Sequence, residues 1–183
     1  MNLTSQIHEY ASALYSIALE NDKKFVDDVQ DVFLAFKNNN EIISILSSLN
    51  LSKNERKKIV GKIFNNEINK LIINFMYLLI DNEFFENIIL IIKDFFKIFD
   101  EEKQILHVKI YTPFALDENE LSKILELIKI KTKKELVYDI IIDPALIGGI
   151  KITYNNNVLD FSIKGKINSL KDKLHNINEG GER

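Results

Sequence analysis

The chain has 183 residues, with 24 basic and 27 acidic side chains and a formal charge of −3. At 46% hydrophobic and 28% charged it has globular composition, which excludes intrinsic disorder, and its length accommodates one domain or two small ones. Cysteine is absent, which removes disulfides, thiolate metal ligands and cysteine nucleophiles together and fits a reducing compartment.

The first residues, Met1 to Gln6, have neither a basic stretch nor an apolar core, so no signal peptide is expected. Ile7, Tyr10, Ala11, Leu14, Ile17 and Ala18 then recur at spacings of three and four, which predicts a helix that Thr4 or Ser5 can cap. A second helix carries Phe25, Val29, Val32, Phe33 and Phe36 until Asn38-Asn39-Asn40, and a short third runs from Glu41 to Leu49. Ser52 with Glu55 has the form of a capping box and opens a fourth helix, Lys53 to Phe64. A fifth is predicted from Glu67 to Ile80 and a sixth from Asn82 to Lys103. The apolar stretches Leu71 to Ile80 and Ile88 to Ile92 are interrupted by Asn74 and stopped by Lys93. They fall short of the roughly 18 to 20 residues of a membrane span, so no direct membrane insertion is expected.

The pattern changes at Gln104. Ile105 to Tyr111 alternates as a strand does and Thr112-Pro113 stops it; Asp117 to Ile130 returns to helical period, and Val137 to Ile142 is β-rich up to Asp143-Pro144. Ile150 to Tyr154, the turn Asn155-Asn156-Asn157 and Val158 to Phe161 form a predicted hairpin. Ser162 can cap a last helix through Ile163, Ile167, Leu170 and Leu174, and Glu179 to Arg183 is expected to fray. The fold class is therefore α+β: a six-helix bundle over residues 1–103, followed by a small α+β domain over 104–183.

A search for chemistry finds little. His8, His107 and His175 have no second His at ligand spacing, so neither a metal nor a catalytic role is expected. Gly61-Lys62 and Gly165-Lys166 fail as phosphate loops, because Ile63 and Ile167 stand where Ser or Thr is required. Gly148-Gly149 could expose backbone donors to an anion or simply permit a tight bend. Asp27-Asp28 and Asp100-Glu101-Glu102 could hold a cation, yet consecutive carboxylates on a helix diverge and are usually solvated. Of the 24 basic side chains 22 are lysines, balanced by carboxylates, so no nucleic-acid partner is expected. What remains is a surface: a helix faced with Tyr10, Ala11, Leu14, Tyr15 and Ala18 can accept another helix, or can pack inside its own bundle.

The order of segments resembles the delta subunit of bacterial ATP synthases, the counterpart of the mitochondrial oligomycin-sensitivity-conferring protein. Tyr10-Ala11-Ser12-Ala13-Leu14-Tyr15-Ser16-Ile17-Ala18 is similar to that family's Tyr-Ala-x-Ala-Leu-aromatic-x-x-Ala signature. Leu51-Ser52 before the basic Lys53 to Lys58, and Asn74-Phe75 with Leu78-Leu79 and Asp81-Asn82, resemble its mid-chain elements. Asp143-Pro144-Ala145-Leu146-Ile147-Gly148-Gly149-Ile150, followed by Asp160 and Ser162, is similar to its Asp-Pro-x-Leu-Ile-Gly-Gly block and Asp-x-Ser. The chain departs from the pattern at Glu83, and at Lys164 and Lys166, where the family commonly has arginine. Lys does not reproduce a bidentate Arg contact, so specific ion pairs do not carry over.

The resemblance implies a non-catalytic stator subunit of the proton-translocating rotary synthase, at the cytoplasmic face of the cell membrane, with no cofactor, no metal and no catalytic residue. It implies that the helical domain binds amino-terminal helices of the alpha subunits and that the second domain holds the b subunit of the peripheral stalk. Tyr10, Ala11, Leu14, Tyr15 and Ala18, with Asn74, Phe75, Leu78 and Leu79, are then the candidate groove. Asp143, Pro144, Leu146, Ile147, Gly148, Gly149, Asp160 and Ser162 are assigned first to folding: Gly for the bend, Pro for the stop, Asp for a turn hydrogen bond. The alternatives are a free-standing adaptor with a similar bundle and a small enzyme whose site escapes motif search.

Overall fold

A computed structural model describes residues 2–64, 67–155 and 157–170, and the chain divides into two compact units, Met1–Glu101 and Glu102–Arg183. Among the described residues eight α-helices and a four-stranded sheet make it α+β.

The first unit is helical: α1 (Leu3–Leu19), α2 (Lys23–Lys37), α3 (Asn40–Ser47), α4 (Lys53–Phe64), α5 (Lys70–Asp81) and α6 (Ile88–Glu102). Asn2 caps α1, accepting the Thr4 N–H at 3.4 Å, because Thr4 and Ser5 already lie inside the helix. The Ser52–Glu55 box forms as predicted, with the Ser52 N–H donated to Glu55 at 2.9 Å and the Glu55 N–H to Ser52 Oγ at 3.3 Å. The Ser52 hydroxyl, which donates to Glu55 at 2.7 Å, and the Ser52 N–H hold the Glu55 carboxyl below the usual carboxylate range. α5 starts later than the apolar period suggests because Asn69 caps it, accepting the Leu71 N–H at 2.9 Å. The buried Asp28 accepts the Asn69 N–H at 2.7 Å and so fixes the approach of α5 to α2. The predicted sixth helix is broken at its start: a turn and a single 3-10 turn, Phe85–Asn87, come before α6. The core is built from Phe25, Phe36, Met76, Leu79, Phe85 and Phe95 among others, with Phe36 edge-on to Phe64 and Phe85 at 5.7 and 5.6 Å.

The second unit runs β1 (Ile105–Thr112), α7 (Glu118–Thr132), β2 (Glu135–Ile142), β3 (Lys151–Tyr154), β4 (Asn157–Asp160) and α8 (163–170). The sheet order is β2-β1-β3-β4. β1 and β2 are parallel, with Ile105 opposite Glu135, and are joined through α7, as parallel strands require. β3 is antiparallel to β1 and to β4. Alternation in β1 turns Leu106, Val108 and Ile110 into a core with Ile128 and Ile152. α7 begins on a capping box, Asp117 with Glu120, and ends at Lys133 in the left-handed conformation. The predicted three-residue asparagine turn is shorter, because Asn157 already pairs with Tyr154. Asn156, the expected continuation of the last helix to Leu174, His175 and the Glu179 to Arg183 tail lie outside the described residues.

Candidate functional site

Helical period puts the predicted groove residues on two helices that meet at one tyrosine. Tyr10 of α1 stacks on Phe84 at 5.2 Å and stands edge-on to Phe75 of α5 at 6.3 Å. Its hydroxyl oxygen accepts a hydrogen bond from Asn82 Nδ2 at 2.9 Å. The structure sorts the nine candidates into buried, half-buried and exposed residues. Ala11, Leu14, Ala18, Phe75 and Leu79 are buried core residues, so their side chains do not form an open surface. They were expected on the groove because a three-and-four spacing marks an apolar stripe without saying which part of it the bundle covers. Tyr15 is half-buried against Phe95 and Phe99 of α6. Tyr10 is half-buried, whereas Asn74 and Leu78 are exposed. Leu71 extends the outward stripe of α5 to Leu71, Asn74 and Leu78, with the two leucines 41% and 46% exposed. On α1, Leu3, Ile7 and Tyr10 follow the same kind of spacing, and Leu3 is exposed. Leu71, Leu3 and Ile7 were not among the groove candidates, although the period that selected Leu78 also reaches Leu71.

The α5 end of this seam is fixed by a turn whose side chains bond to two other helices, α4 and α1. The Glu83 N–H is donated to the Ile80 carbonyl at 3.2 Å and the Phe84 N–H to the Leu79 carbonyl at 2.9 Å, a helix stop that requires a left-handed residue between them. Glu83 takes that conformation with φ of 53°, where Gly or Asn is usual. Its carboxylate accepts two hydrogen bonds from Arg56 of α4, at 3.0 and 3.1 Å. Arg56 is 2% exposed and also donates to the Leu46 carbonyl at 3.3 Å. Lys57 pairs with Asp81 at 2.6 Å, and Lys53 donates to the Asp81 carbonyl at 2.7 Å while standing 3.4 Å from Glu83. The paired guanidinium, with Lys53 beside it, holds the Glu83 carboxyl below the usual carboxylate range. A depressed folded-state pKa contributes stability above the ordinary glutamate range that is lost as pH falls through the depressed value. Melting temperature measured against pH through the acid limb is therefore expected to fall less steeply for Glu83→Gln than for the unsubstituted protein.

In the second unit the late motif builds one end of the sheet. Asp143 accepts the Ala145 N–H at 3.0 Å and starts the single 3-10 turn Pro144–Leu146, whose Leu146 is buried. Gly149 has φ of 76°, and a Cβ there would strike the Phe161 carbonyl oxygen, so the bend assigned to glycine is required at this position. Ile147 also has positive φ, 66°, and is 68% exposed, a conformation that strains a β-branched residue. Asp160 accepts the Ser162 N–H at 2.9 Å and the Ser162 hydroxyl at 2.6 Å, and these bonds lower its pKa. Ser162 Oγ in turn accepts the Gly165 N–H at 2.9 Å, capping α8 as predicted. The Ile163 N–H is donated to the Gly148 carbonyl at 2.9 Å, tying α8 to the loop.

Because β1, β2 and β4 all end where β3 begins, Phe114, Ile142, Ile147, Phe161 and Ile163 gather at one end of the sheet, and all five are exposed. Phe161 also lines an apolar cavity of about 350 Å³ between α7 and the β3–β4 hairpin, with Leu127, Ile128, Ile152, Tyr154 and Leu159. Among the described residues no group of three or more His, Asp or Glu side chains is placed to hold a metal ion, and no helix is long and apolar enough to cross a membrane.

Comparison with known proteins identifies the pattern. Residues 7–174 match the family described as ATP synthase delta (OSCP) subunit. The chain is 42% identical to ATP synthase subunit delta of Malacoplasma penetrans over 98% of its length and all of the relative's. It is 35% identical to that of Acetivibrio thermocellus, covering 90% of this chain and 94% of the relative. A chain of the Toxoplasma gondii mitochondrial ATP synthase hexamer has the same fold, with a TM-score of 0.63 over 95% of this chain and 98% of that one at 17% identity. The chain belongs to the ATP synthase delta (OSCP) subunit family.

Proposed function

We propose that this chain works as the stator link of the rotary synthase at the cytoplasmic face of the membrane, without turnover of its own. The helical unit, 1–103, receives an amino-terminal helix of an alpha subunit along the α1–α5 seam, and the second unit, 104–183, holds the b subunit of the peripheral stalk. The observation that carries this reading is the outward stripe Leu71, Asn74 and Leu78 beside the Tyr10 junction. An amphipathic helix laid on such a stripe buries apolar side chains at i, i+3 and i+7 without needing reactive groups, as a torque-bearing contact requires. The apolar end of the second sheet offers the stalk a comparable surface, and the strain at Ile147 is supported by the hydrogen bonds around it.

Leu78→Asp tests the reading. Leu78 is 46% exposed and lies outside the buried core, so the variant is expected to keep its helical circular dichroism while binding to a synthetic alpha-subunit amino-terminal peptide weakens by about tenfold or more. Unchanged binding in a folded variant contradicts the seam, and a chain absent from purified intact synthase favours the adaptor.

A further inference from the structure

We propose that Arg56 is a positioning residue for the α1–α5 seam, acting through Glu83 on the turn that holds Tyr10. The inference rests on the reading that the seam receives a partner helix. Asp81, Asn82 and Glu83 are consecutive, yet Asp81 and Glu83 bond to α4 while Asn82 bonds to Tyr10 of α1. Glu83 occupies the left-handed helix-stop position, where its Cβ is unfavourable and glycine is usual. The side chain that replaces glycine there is gripped at both carboxylate oxygens by a guanidinium with almost no solvent exposure, a planar fork that fixes direction as well as distance. Arg56 Nε has no hydrogen-bond partner among the described residues, so the guanidinium is spent on Glu83 and the Leu46 carbonyl rather than on filling every donor. Burying the Arg56 guanidinium to hold one exposed carboxylate is a poor way to gain stability, since desolvating a charge offsets much of what its pairing contributes. It is a good way to fix the placement of Asn82, and through it the Tyr10 ring against Phe75 and Phe84.

The test compares Glu83→Gln and the double variant Arg56→Met/Glu83→Gln with the unsubstituted full chain, using the same synthetic alpha-subunit peptide. Both variants remove the carboxylate; the double one also removes the charge that would be left unpaired, so its melting temperature is expected to recover toward that of the unsubstituted protein. Peptide affinity is expected to stay about tenfold weaker in both, with the Asn82 side-chain amide and Tyr10 ring NMR signals displaced. Affinity that recovers together with stability, or Glu83→Gln binding as well as the unsubstituted protein, overturns the proposal. If the double variant fails to fold, Glu83→Gln decides alone, because Glu83 is exposed. Leu78→Asp separates the two ideas: if it leaves binding intact the seam itself is wrong, whereas loss with Leu78→Asp but not with Glu83→Gln leaves the seam and removes the role of Arg56.

Discussion

Ala11→Glu is expected to unfold the helical unit rather than merely weaken a binding face. Ala11 is 0% exposed within the bundle core, and a glutamate there must bury a carboxylate without a partner and force larger volume into close packing. The expected cost is about 4 kcal/mol or more, comparable with the roughly 5 to 15 kcal/mol that holds a typical domain together. Circular dichroism at the helical band is the measurement, with amide NMR of the β1 to β4 residues to follow the second unit, whose own core of Leu106, Val108, Ile110, Ile128 and Ile152 is separate. A variant that stays fully helical but loses the peptide would put Ala11 on the surface, against the structure.

The second large effect is expected at Gly149. Valine there meets two penalties at once: the backbone has φ of 76°, which a β-branched residue avoids, and its Cβ would strike the Phe161 carbonyl while standing 3.0 Å from Ser162 Cα. Both obstacles are backbone, so neither can be relieved by a side-chain rotation. Gly149→Val is expected to destabilise the second unit by about 3 kcal/mol, with Gly149→Ala changing stability in the same direction by less. Hydrogen exchange at Ile110 and Ile152, paired across β1 and β3, reports the loss directly. Unchanged protection there would mean that the loop takes a different path.

These two substitutions also show what the sequence could and could not say. The position of Gly149 was legible because Gly-Gly after Asp-Pro between apolar runs has few conformational explanations. The helices were legible from their period, and the Ser52–Glu55 box from two residue types at one spacing. Ala11 was ambiguous because a period identifies a stripe, and only packing decides how much of that stripe the bundle covers; Leu78 and Leu79 are neighbours in sequence with opposite fates. The break before α6 was hidden for another reason. It depends on Glu83 adopting a left-handed conformation, which no local preference favours, and the residue opposite that supports it, Arg56, lies 27 positions earlier. Ile147 is the same kind of case: its positive φ follows from the loop between β2 and β3 and not from isoleucine. Long-range pairing and strain are not written in a window of neighbours, and both bear on the surfaces proposed for partners.

On the proposed function, the α1–α5 seam is the face presented to the catalytic head. The most direct measurement is an amide NMR titration of the isotope-labelled full chain with a synthetic amino-terminal peptide of the same organism's alpha subunit. Saturable shifts concentrated at Leu71, Asn74, Leu78 and the Tyr10–Asn82 junction, with β1 to β4 unmoved, are the expected result. Shifts confined to the second unit, or none at about millimolar peptide, would contradict it.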